Sequence, residues 1–243
     1  FAVNAKWNPV KFLTVNGGLS YKWNRTEYYK ILDDLLGGDY YVNIDQFAER
    51  DFAAYPTMIQ NDLDYYLKNG AAQTLAQGDK YGYDYYAHVR RAEAWASGRF
   101  TFGGFEATVA GRLGYSKFWR EGLLRKGLFP GLDDNGNPFT YNGEVITKYD
   151  QIDGRPITSK GESDKKDFLT GSGKINLGYF ISGGHRIYAD AAYITEAPTF
   201  NQAFISPRTR NTVMPDLKTI KTLTADINYA YSNSGYDVRV TGF

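Results

Sequence analysis

Tyrosine is the most conspicuous candidate for chemistry in this chain, and much of it comes in close groups: Tyr28-Tyr29, Tyr40-Tyr41, Tyr65-Tyr66, then Tyr81, Tyr83, Tyr85 and Tyr86. Rings set among Asp and Asn can stack on sugars or grip a peptide, and the same rings can pack loops against one another. On this ground Tyr65, Tyr66, Tyr83 and Tyr85 are candidates for ligand contact. Phe204, Arg208 and Arg210 join them from TEAPTFNQAFISPRTRNTVMPDLKTIKT, a polar stretch punctuated by three prolines. Two arginines there suit an anionic ligand, but pairing with loop carboxylates is the expected use of such residues.

Metal and enzyme chemistry find little support. The only histidines, His88 and His185, are far apart, and there is no cysteine, which removes thiolate ligands and disulfides. DDNGNPFTYNGE places Asp133, Asn135, Asn137 and Glu144 at positions 1, 3, 5 and 12 of a calcium-type loop. Such a loop wants glycine at position 6 and flanking helices. Here Pro138 stands at position 6, and the stretch reads equally as a turn at a loop tip. No nucleophile elbow, zinc-helix, phosphate-loop or dinucleotide motif occurs. The expectation is therefore no enzyme, no cofactor and no resident metal.

The elements that hold these residues read as β-structure. Among 243 residues there are 21 Tyr, 15 Phe, 4 Trp and 26 Gly, a composition for strands and turns. The 28 basic and 27 acidic side chains leave a net charge of +1, with no reason to expect nucleic acid. No run approaches the ~20 apolar residues of a membrane helix. The mean hydropathy of −0.48 agrees, although alternating barrel strands also average out as polar.

Period-two alternation is the leading signal. In FLTVNGGLSYKW, Leu13, Val15, Leu19, Tyr21 and Trp23 share a face opposite Thr14, Asn16, Ser20 and Lys22. FEATVAGRLGY, LTGSGKINLGYFI and TLTADINYAY repeat the pattern, and about eight strands can be counted. Tight turns are expected at Asn8-Pro9, Gly103-Gly104, Ser182-Gly183-Gly184 and Ser232-Asn233-Ser234-Gly235. Long segments separate the hairpins, roughly residues 24–84, 120–166 and 195–218. ILDDLLGG, residues 31–38, reads as a short helix or turn whose apolar residues anchor the first of them. Short turns at one rim and long loops at the other suit an outer-membrane barrel, with Tyr and Trp near strand ends as its interfacial girdle. The opposite face is too polar to fill the bore of an eight-stranded barrel. The sheet is therefore expected to continue beyond both ends of the chain, which reads as an internal fragment.

The proline-punctuated stretch carries a resemblance. Thr195-Glu196-Ala197-Pro198-Thr199-Phe200, then Met214-Pro215-Asp216-Leu217-Lys218, then a strand ending Asp226-Ile227-Asn228-Tyr229 resembles a strand–loop–strand pattern of TonB-dependent outer-membrane receptors. Met214 stands where that pattern has Asn, and Thr219-Ile220 where it has Pro-Glu. The resemblance implies an all-β fold, an antiparallel transmembrane β-barrel segment of about eight strands from a 22-stranded barrel with long extracellular loops. Residues 1–243 would be part of one β-barrel domain, with the plug domain and barrel ends outside the chain. It implies the outer membrane of a Gram-negative bacterium and active import of a scarce nutrient: a glycan, peptide, iron chelate or cobalamin. Implied partners are outer-membrane lipid, the TonB complex through the plug region, and a surface lipoprotein. A passive porin or adhesin barrel and a soluble carbohydrate-binding β-protein are the alternatives.

Overall fold

Strands form where the alternation is strongest, and they pair in the order in which they occur. The computed structural model describes residues 1–133, 135–141, 144–145, 151–152 and 155–243. Eight long strands build the main sheet: β1 (Ala2–Val10), β2 (Leu13–Ile31), β3 (Lys80–Phe102), β4 (Phe105–Gly122), β5 (Lys166–Ile181), β6 (His185–Glu196), β7 (Ile220–Ser232) and β8 (Asp237–Gly242). Each is antiparallel to the next, and a short strand, Gly161–Glu162, adds to the loop end of β4. Among the described residues β1 and β8 do not pair with each other, so this all-β sheet is open.

Three hairpin turns fall where the Gly and Asn signals place them, at 103–104, 182–184 and 233–236. Gly183 and Gly184 hold φ of 79° and 84°, which a side chain resists. The first turn differs from expectation. Asn8-Pro9 lies inside β1, and the chain reverses at Lys11-Phe12. The β1–β2 register shifts between Trp7 and Val10, and this irregularity on an edge strand absorbs the missing proline N–H.

The long segments are shorter than their sequence suggests, because β2 and β3 remain paired from Leu13↔Phe100 up to Ile31↔Lys80. Over this extension both faces carry tyrosines and charges, which hides the period of two. The 31–38 stretch is a turn, not a helix: Leu36 N–H bonds the Asp34 carboxylate at 2.7 Å, and Leu36 sits at φ 52°. Leu32 is buried and anchors the loop, whereas Leu36 is exposed. The helices lie further on. Asp45 caps α1 (Gln46–Phe52) by accepting from Phe47 and Ala48 N–H. Asp62 caps α2 (Leu63–Asn69), which ends at left-handed Gly70.

Burial across the sheet is inverted relative to a water-soluble sandwich. The apolar face is open: Leu223 is 77 % exposed, Leu169 75 %, Leu113 and Trp23 66 %. On the other face Glu106, Thr170, Asn228 and Ser116 are buried. Polar groups there satisfy one another: Glu106 pairs with Arg99 and with Arg186 (3.4 Å), Arg112 with Glu93 (3.3 Å), and Asn176 donates to Asp190 (3.0 Å).

The loops between β2 and β3, β4 and β5, and β6 and β7 form one cap at the rim opposite the turns. Leu63 N–H donates to Arg125 O (2.8 Å), Gly127 N–H to Gln60 O (2.8 Å) and Asn211 N–H to Thr158 O (2.7 Å). Asp64 receives Arg125 (2.8 Å) and Lys160 (2.7 Å). Lys126 donates to Asn61 and to Gly82 O, and burial pushes its ammonium down to about 8. Gly122 admits this packing, since a Cβ there would lie 1.8 Å from Ser159 O. Gly122→Ala is therefore expected to cost about 1–3 kcal/mol. The loss should appear as faster proteolysis of the 155–165 segment with the strands intact.

Candidate functional site

The site is assembled where the β6–β7 loop folds back onto the polar face. Pro198, which has no N–H to extend the β6 ladder, turns the chain into α3 (Phe200–Ala203). Gln202 stabilises that start by accepting from Thr199 N–H at 2.9 Å. The helix delivers Phe200, Ala203 and Phe204 onto Phe118 of β4, with Val89, Phe168 and Leu217 around them. A Phe204↔Val213 bridge closes the loop above this small core.

Arg120, one β4 pleat beyond Phe118, holds the loop in place. It is 2 % exposed. Its guanidinium donates to Pro207 O (2.6 Å), Ser159 O (2.7 Å) and the Asn211 side-chain carbonyl, and its Cζ lies 4.9 Å from the Tyr85 ring centre. One planar cation thus ties two loops to one strand, which suits the fixed fork of Arg.

Beside this anchor lies an aromatic platform. Tyr28 and Tyr85 stack at 5.2 Å and 14°, Tyr85 and Phe200 at 6.4 Å and 12°, and Phe200 meets Phe204 at 4.7 Å. Tyr83 sits 6.0 Å from Tyr85, with the exposed Arg208 5.4 Å above its ring. The layer offers ring faces, phenol hydroxyls and one exposed cation. It can stack a planar or sugar ring and hold an anionic group at its edge.

The structure thus brings together four sequence candidates, Tyr83, Tyr85, Phe204 and Arg208. Phe204 and Tyr85 are buried supports; Tyr83 and Arg208 reach the surface. Tyr65 and Tyr66 lie on α2. The ion pairs expected of Arg208 and Arg210 are not made among the described residues. Arg210 lies 5.1 Å over the Phe129 ring instead, because the cap places aromatic rings, not carboxylates, beneath both. Phe200 and Arg120 escaped the sequence reading: α3 is only four residues long, and Arg120 sits among strand residues of ordinary polarity.

Among the described residues, the start of the calcium-type loop is a turn. One Asp133 carboxylate oxygen, Oδ1, accepts from Asn135 N–H (2.9 Å) and Asn137 N–H (2.8 Å) and so serves the turn. The side chain of Glu144 lies outside the described residues. No group of three His, Asp or Glu side chains converges among the described residues. Register does bring His88 to Glu121, with Nε2 2.7 Å from the carboxylate and the imidazole stacked 4.6 Å from Trp119. That pair lies on the apolar side of the sheet, away from the platform. Compared with protein-family models, with curated proteins and with solved structures, the chain matches none of them.

Proposed function

We propose that this chain is a section of a TonB-dependent transporter barrel in a Gram-negative outer membrane. It would import a scarce nutrient (a glycan, peptide, iron chelate or cobalamin) captured at the loop cap. The observation that carries the reading is the inversion of the two faces. An outward belt of exposed Leu, Ile, Val and aromatic side chains backs onto a polar face on which Glu106, Glu93 and Asp190 are each paired with an Arg or Lys. In water such a belt would be a contiguous exposed apolar patch of the kind that aggregates; against lipid it is the favourable side. Its height fits as well. Leu13 to Trp23 covers about 33 Å of strand, and at the ~40° tilt of barrel strands this spans about 25 Å.

The transport half is supported by the platform on the polar face and by the TonB-receptor-like motifs that build it: Ala197-Pro198 starts the turn, and Phe200 and Leu217 supply packing. The polar face would line the lumen around a plug. Outer-membrane lipid, the TonB complex through the plug and a surface lipoprotein are the proposed partners.

Because the chain has no native cysteine, single labels can separate the faces. A fluorophore on Leu177→Cys is expected to be quenched by brominated acyl chains, and one on Asn176→Cys is not. Equal quenching at both, or none at either, defeats the membrane reading. Nutrients of the four classes are then offered to cells making the protein. Uptake that stops on collapse of the proton gradient, with surface binding retained, supports active import. Uptake that continues makes the protein a passive channel.

A further inference from the structure

The outward face changes character at the loop side of the belt. One cross-strand row, Tyr21, Ala92, Tyr115 and Leu169, closes the belt; the next is Trp23, Arg90, Lys117 and Asp167. Arg90 and Lys117 are directly opposite each other, where like charges repel unless an anion lies between them. Neither forms an ion pair among the described residues, and Asp167, across from Lys117, is not within salt-bridge reach. One row higher stand Arg25, His88 and Trp119. Two further carboxylates above this row are already engaged: Glu121 with His88 (2.7 Å), with Arg25 3.9 Å away, and Glu162 with Lys165 (2.7 Å). Arg90 and Lys165 both flank the Trp119 ring, at 5.1 Å and 5.0 Å.

The turn side has no counterpart. Its equivalent row, Phe102, Phe105, Tyr179, Ile187, Tyr229 and Val240, is uncharged. Unpaired cations therefore border the belt at the loop rim, at the depth of lipid headgroups, with Trp23 and Trp119 beside them. We infer that Arg90 and Lys117 form a binding surface for the phosphate of an anionic lipid in the loop-side leaflet. The inference rests on the membrane reading above. The acyl chains would lie along the belt below, and the phosphate would bridge the two facing cations. Such a contact would fix the depth of β3 and β4 in one leaflet, which the uncharged turn-side row does not do.

The test is lipid retention by the detergent-purified protein, followed by native mass spectrometry with phosphatidate and phosphatidylcholine of identical acyl chains. The wild type is expected to retain phosphatidate in preference. Arg90→Gln with Lys117→Gln should weaken phosphatidate retention about 30-fold and leave phosphatidylcholine unchanged. Lys22→Gln with Lys174→Gln, which removes the same charge from the polar face, should change neither. Equal retention of both lipids by the wild type, or the same loss in both double variants, overturns the headgroup site. Retention of no lipid of either kind overturns the membrane reading with it.

Discussion

Leu177→Arg should destabilise the folded protein by about 2–4 kcal/mol, measured by urea titration of folding into phospholipid vesicles. Asn176→Arg, one residue away, should cost less than about 1 kcal/mol. Leu177 lies in the belt between Ala107 and Ala189. These neighbours have no side-chain acceptors, so under the proposed membrane reading an arginine there would have to carry its charge towards a distant headgroup. Asn176 lies on the other face, where Asp190 already accepts its amide at 3.0 Å and Lys174 stands 3.7 Å from the same carboxylate. A guanidinium can take over that partner in a wet environment. Equal penalties at the two positions would mean that the faces have been assigned wrongly, and the membrane reading would go with them.

Arg120→Met should release the β6–β7 loop from the cap. Three acceptors, Pro207 O, Ser159 O and the Asn211 side chain, lose one donor group at once. Each buried acceptor left unpaired costs about 1–3 kcal/mol, so a local loss of about 3 kcal/mol or more is expected. Because Arg120 lies above the belt, the strands should stay folded while trypsin gains access to Arg208 and Arg210. Arg120→Lys should not rescue the loop, since a single ammonium cannot match the fork that reaches all three. Cleavage at the wild-type rate in both variants would show that the loop is held by Phe204 and its apolar neighbours alone. A released loop also carries Phe200 away from Tyr85, so any ligand bound at the platform should be lost together with protease resistance.

The sequence by itself determined the strands, their phase and most of their turns. This information is local: a pleated strand puts successive side chains on opposite faces, so Leu13, Val15, Leu19, Tyr21 and Trp23 declare a face wherever they pair. Gly183-Gly184 and the Asn233 turn declare reversals in the same way. The same logic misplaced Asn8-Pro9, because an edge-strand bulge can absorb a proline that local rules treat as a stop. It also cut β2 and β3 short, because Tyr28, Tyr83 and Tyr85 serve the cap rather than the belt and break the alternation. Only the tertiary structure decided which aromatics form the platform, that Arg120 is an anchor, that Asp133 serves a turn, and that Arg90 faces Lys117. Each of these depends on register between strands or on contact between loops far apart in the chain. Cross-strand pairing is set by the whole hairpin and loop packing by the sum of many weak polar contacts, and neither leaves a periodic trace in the residues concerned.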